Sequence, residues 1–108
     1  MLARVVTIQV KPEKMEECIA IFKDVNVPSI AVRPGFDHGH RWVDRTSGEA
    51  TSVTFWENEA DEEASRANIP HLVEGMSHVL ASGEIYQDTF ELVHHQHRIE
   101  RSEEASPT

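Results

Sequence analysis

Residues 2–10, LARVVTIQV, alternate in two sets: Leu2, Arg4, Val6, Ile8 and Val10 on one face, Ala3, Val5, Thr7 and Gln9 on the other. The period of two and the β-branched content predict a strand, buried on one face and at least half covered on the other. The period then changes. Pro12 and Glu13 suit a helix start. Met15, Cys18, Ile19, Phe22 and Val25 recur at helical spacing, with Glu16, Glu17, Lys23 and Asp24 opposite. This predicts an amphipathic helix. Pro28 and the Arg33-Pro34-Gly35 turn are expected to end it.

Residues 36–45 and 50–57 read as strands, and Thr46-Ser47-Gly48-Glu49 joins them as a hairpin. Asn58 is placed to cap an acidic helix that opens with Glu59, Asp61, Glu62 and Glu63. Asn68 and Pro70 mark a break and a new start. Leu72, Val73, Met76, Val79 and Leu80 predict a further helix, stopped near Gly83. Residues 84–94 predict a last strand with Tyr86, Phe90 and Leu92 on one face. Residues 96–108 lack apolar periodicity and read as a frayed tail behind a domain of residues 1–95.

The resulting order is β-α-β-β-α-β. That is an α+β fold, the ferredoxin-like split βαβ: a four-stranded antiparallel sheet with helices on one face. The other face still carries apolar side chains such as Val53 and Phe55. A second copy packed sheet to sheet would cover them, giving a dimeric α/β barrel. The homodimer is therefore the expected partner.

Composition narrows the chemistry. The chain has 108 residues, 39% hydrophobic and 27% charged, the profile of one globular domain. No apolar run reaches the roughly 20 residues of a membrane helix. The N-terminus has no basic region followed by an apolar block, so no secretory signal is expected. The formal net charge of −9 repels polyanions, and Arg41 and Arg45 are flanked by Asp37, Asp44 and Glu49, which argues against nucleic acid. A single cysteine excludes an internal disulfide and makes the reducing cytoplasm the default compartment. Cys18, on an apolar stripe without a basic neighbour, reads as a buried structural thiol.

Within residues 34–59, Pro34-Gly35-Phe36 opens a strand, Val43-Asp44-Arg45-Thr46-Ser47-Gly48 turns it back, and Trp56-Glu57-Asn58-Glu59 leads from strand to helix. This ordered set resembles the antibiotic biosynthesis monooxygenase family, over roughly residues 2–94. The resemblance implies a homodimeric barrel with a pocket in each subunit between sheet and helices. It also implies oxidation of a small aromatic phenol or hydroquinone by oxygen alone, without a cofactor. Other members open haem, and many have no known activity. The asparagine, tyrosine and arginine of the quinone-forming members fall at Ser52, Glu62 and near Met76 here. Those differences support an alternative, a non-catalytic dimeric binding or stress-related protein. A haem- or metal-binding member is a third reading.

Candidate site residues follow. Trp56 occupies the family's tryptophan position, where it would stack on a flat ligand and donate one N–H, with substrate-binding Ser52 and Thr54 on the same strand face. His38 and His40 alternate around Gly39 and share a face with Trp42. Two histidines at that spacing suit a base acting on a phenol, with His40 as the catalytic choice and His38 and Trp42 as substrate contacts. His71, Glu74 and His78 would line up on a helix, but opposite its apolar stripe, so a solvated face with a Glu74–His78 pair is expected rather than a metal site. His94, His95 and His97 cluster near the last strand without a carboxylate or thiolate partner. No glycine-rich phosphate loop, Ser-His-Asp order or CxxC pair is present.

Overall fold

The first strand, β1, spans Leu2–Val10 and sits inside the sheet. It pairs antiparallel with β3 (Glu49–Trp56) on one side and β4 (Leu80–Glu91) on the other. β2 (Phe36–Val43) pairs antiparallel with β3, so the sheet order is β2-β3-β1-β4. These facts come from a computed structural model, which describes residues 1–94 and 96. The tail expected over 96–108, Gln96 aside, and the cluster members His95 and His97 lie outside the described residues.

Helices cover one face of this sheet. Ile8 and Val10 of β1 and Ala50 of β3 meet Met15, Cys18 and Phe22 of the first helical run and Met76 and Val79 of the second. This is the predicted β-α-β-β-α-β arrangement. Cys18 is in this core as a free thiol, and burial pushes it up to about 11. Among the described residues no helix is long and apolar enough to cross a membrane.

Three local departures decide what the sheet and helices place between them. The first helical run does not end at Pro28. A 3-10 turn at Pro12–Lys14 leads into α1 (Met15–Ile21), a π turn (Phe22–Asn26) and α2 (Val27–Ala31). The Val27 N–H reaches the Phe22 carbonyl, five residues back. The widened turn puts Pro28 in the opening turn of a fresh α segment, where its missing N–H has no partner to lose. It also shifts the helix phase by one residue. Val25, expected on the apolar stripe, is 50% exposed, and Asn26 is 8% exposed in its place.

The second departure is a bulge in β2. Phe36 faces Trp56 across the pair, but His38 faces Phe55, so one residue is inserted at Asp37. Beyond it the alternation inverts. Gly39, Arg41 and Val43 oppose Thr54, Ser52 and Ala50, while His38, His40 and Trp42 oppose Phe55, Val53 and Thr51.

The third lies in the last helical region. Asn58 caps α3 (Glu59–Arg66), its Oδ1 accepting the Asp61 N–H at 2.9 Å. The helix after Asn68, α4, spans only Ile69–Glu74. Gly75, a poor helix former, follows it, and a 3-10 turn at Ser77–Val79 carries the chain directly into β4. The Lys11 N–H holds that turn by bonding the Val79 carbonyl at 2.9 Å. The expected helix to Gly83 is thus replaced by strand from Leu80.

Candidate functional site

Arg4 stands at the centre of the inner sheet face, where the β1 alternation otherwise places aliphatic residues. It is 2% exposed. Its guanidinium lies over the Trp56 ring, 4.9 Å from the centroid, and Nη1 donates to Ser65 Oγ and, at 3.4 Å, to the Glu62 carbonyl. Glu62 is fully buried. It pairs with Arg66 at 2.8 Å and accepts the Thr89 hydroxyl at 2.9 Å. One α3 turn therefore anchors one edge of Arg4 and places a carboxylate nearby. Burial still pulls the Arg4 guanidinium below its ordinary value, against the attraction of Glu62.

Arg4 Nε is buried and has no protein partner. Three further polar atoms have no hydrogen-bond partner, Arg41 Nη2, Asn26 Oδ1 and Glu62 Oε2, the last lying 2.8 Å from the Arg66 guanidinium as an ion pair. The Asn26 amide nitrogen donates to Met76 Sδ at 3.3 Å, which leaves its oxygen unengaged. Burial lowers Arg41 too. Arg4, Arg41 and Asn26 line one cavity between the sheet and the helices, together with Ser52, Thr54 and an apolar wall. Its free space is about 60 Å³. Buried polar groups normally find partners, and the three on Arg4, Arg41 and Asn26 converge on one cavity.

The six residues singled out from sequence divide between the two faces. Ser52 and Thr54 line the cavity. Trp56 shares their strand face, but it is 0% exposed and packs edge-on against Phe36 at 5.6 Å. Its indole N–H already donates to Thr54 Oγ1 at 2.9 Å. Trp56 is thus a platform beneath Arg4 rather than a wall of the cavity, since the ring fills the strand–helix corner and its one donor is spent. His38, His40 and Trp42 stand on the opposite, outer face because of the Asp37 bulge. His38 stacks on Phe55 at 4.2 Å and touches the Asp37 carboxylate, and His40 stacks on Trp42 at 5.7 Å. The sheet itself separates His40 from the cavity, so it does not stand beside a ring held there.

The expected Glu74–His78 pair is also replaced. With the helix ended at Glu74, His78 Nε2 meets Glu17 of α1 at 3.2 Å. Among the described residues no three His, Cys, Asp or Glu side chains are grouped to hold a metal.

Arg4, Asn26 and Arg41 were not singled out in the sequence. Arg4 left a signal there, a charge inside an aliphatic alternation. Arg41 and Asn26 left none of their own, since the bulge and the π turn bring them inward.

A split βαβ sheet with one helical layer and a cavity between them defines the ferredoxin-like α+β class. Residues 1–76 match the antibiotic biosynthesis monooxygenase family, and the chain belongs to it. Among curated proteins, no relative matches the sequence. Solved structures share the fold at low identity. A monooxygenase of Streptomyces coelicolor, ActVA-Orf6, in complex with nanaomycin D, superposes with a TM-score of 0.69 at 17% identity, covering 94% of this chain and 92% of that one. SnoaB, a cofactor-independent oxygenase of Streptomyces nogalater, gives 0.66 at 13% identity over 87% and 94%. A conserved protein of Methanosarcina mazei gives 0.65 at 20% over 83% and 91%.

Proposed function

We propose that residues 1–95 form a cofactor-independent monooxygenase domain that oxidises a small aromatic phenol or hydroquinone with oxygen. The observation that carries this reading is the cavity beside Ser52 and Thr54, apolar on its helix side and edged by two arginines. An apolar slot accepts a ring. The guanidiniums favour the phenolate over the phenol, so the proton leaves to solvent without a dedicated base. The electron-rich phenolate gives one electron to oxygen, and superoxide recombines with the ring radical to form a C–O bond. Loss of water leaves the quinone: phenol and oxygen go to quinone and water. Ser52 is placed to hydrogen-bond the peroxidic oxygen.

An oxygen electrode with phenols, hydroquinones and anthrones tests this. Uptake should exceed the buffer rate for at least one single-ring substrate, and Ser52→Ala should slow it by about tenfold. Uptake at the buffer rate across the whole panel would rule the reading out. A dimeric binding protein without turnover is the second reading. It is favoured by Glu62, whose buried carboxylate is paired with Arg66 and accepts the Thr89 hydroxyl where quinone-forming relatives place a tyrosine.

The outer sheet face supports the homodimer. Trp42, Tyr86 and Phe90 are 56%, 67% and 52% exposed there, around Val5, Val53 and Phe55. Aromatic patches of this kind mark interaction surfaces, and a second copy presents the same patch. Equilibrium sedimentation at micromolar concentration should give twice the chain mass. Phe55→Asp, which buries a charge at the centre of that contact, should give a folded monomer. A wild-type monomer would overturn this part. The free, buried Cys18 suits a reducing compartment such as the cytoplasm.

A further inference from the structure

The cavity holds more positive charge than ring chemistry needs. Arg4 feels Arg33, Arg41 and Arg66, with Glu62 the only carboxylate among the charges acting on it. Glu62 already pairs with Arg66. Among the described residues no carboxylate pairs with Arg41: the residue is half-buried, its Nη2 is buried without a partner, and burial lowers its guanidinium. In a chain of net charge −9, two arginines, Arg4 and Arg41, line one slot, with the charges of Arg33 and Arg66 also acting on Arg4, a local inversion of the field. A buried guanidinium without a counter-ion is unfavourable, and its planar edge matches a carboxylate.

We propose that the cavity selects a small aromatic carboxylate bearing a hydroxyl. The carboxylate lies between Arg4 Nε and Arg41 Nη2, the hydroxyl donates to Asn26 Oδ1, and the ring rests on the wall formed by Phe22, Leu72 and Met76. The three unpaired atoms, two donors and one acceptor, are all satisfied by that one ligand. The free space of about 60 Å³ is less than half of the roughly 150 Å³ of a cavity that holds benzene, so a single ring reaches into the slot from its open mouth and a fused polycycle is too large. The proposal rests on the oxygenase reading only for turnover: with the guanidiniums taken by the carboxylate the hydroxyl is held as the neutral phenol, and turnover in the same site requires it to leave Asn26 and lose its proton.

The test compares 3-hydroxybenzoate with its neutral isostere 3-hydroxybenzamide by isothermal titration on the full chain. The acid should bind at least tenfold more tightly. Arg41→Met should abolish that preference, acid and amide then binding with equal affinity. Because Arg41 has no hydrogen-bond or ion-pair partner among the described residues, this variant should melt at or above the wild-type temperature without ligand. Arg45→Gln, on the exposed hairpin, should change nothing. Equal affinity of wild type for acid and amide would overturn the proposal, and so would an unchanged preference in Arg41→Met. An Arg41→Met chain that melts lower would show that the guanidinium has a structural partner, and would overturn it too. Oxygen uptake separates the two readings. Tight, selective binding of the acid without uptake removes the oxygenase and keeps the carboxylate site. Equal uptake on neutral phenols and acids does the reverse.

Discussion

Trp56→Ala is expected to destabilise the chain by about 3–5 kcal/mol, measured by urea unfolding. The indole is fully buried between Phe36 and Arg4. Its removal leaves a large void at the strand–helix corner, and the sheet backbone cannot collapse into it because Trp56 is paired to both Leu2 and Phe36. Two electrostatic losses add to the cavity. Thr54 Oγ1 loses its donor, and the Arg4 guanidinium loses the ring face beneath it. Trp56→Phe restores much of the volume and should recover more than half of the loss. Because the ring lies beneath Arg4 and not in the cavity, Trp56→Phe should change ligand affinity far less than Arg41→Met. A Trp56→Ala chain within about 1 kcal/mol of wild type would contradict this placement.

Gly48→Ala should cost about 3 kcal/mol. Gly48 has φ +82°, and a Cβ added there would sit 2.2 Å from the Val10 carbonyl oxygen. A left-handed conformation alone costs a non-glycine residue about 1–3 kcal/mol. The collision is with backbone, so no side chain can rotate out of the way. Relief requires the hairpin to retreat from β1, which breaks the 2.8 Å bond from the Val10 N–H to the Gly48 carbonyl. The turn resists that movement. Asp44 Oδ1 accepts the Thr46 and Ser47 N–H groups at 2.9 and 3.1 Å, and these backbone donors, Ser47 first, hold its carboxyl below the ordinary carboxylate range. Gly83→Ala is the matched control. Nothing lies within 4 Å of its added Cβ, so it should stay within about 0.5 kcal/mol of wild type. Equal urea midpoints for the two variants would refute the close approach.

The elements that could be read from the sequence are those with a clean period. β1 matches its alternation, and the hairpin follows from a glycine between two β-rich runs. What was not legible depends on single-residue changes of phase. His38, His40 and Trp42 share a face whichever way β2 is set, so their grouping was visible. Which face they share is decided by an extra residue at Asp37, and a bulge has no strong sequence mark. Arg41 moved inward for the same reason. The π turn did the same for Asn26, against the simple reading of Pro28 as a helix end. Hydrogen-bond geometry over five residues, rather than composition, settled that position.

The widened turn at Phe22–Asn26 has an evolutionary consequence. Such turns are one-residue insertions accommodated inside a helix, so they arise and vanish through the gain or loss of a single codon. Losing one here would straighten the helix and swing a valine toward the slot in place of an amide. The scaffold would survive while the slot lost the unpaired amide oxygen on its wall and kept its two arginines. Length variation in this helix, rather than point substitution, is thus an efficient route by which descendants of this chain would change what they hold.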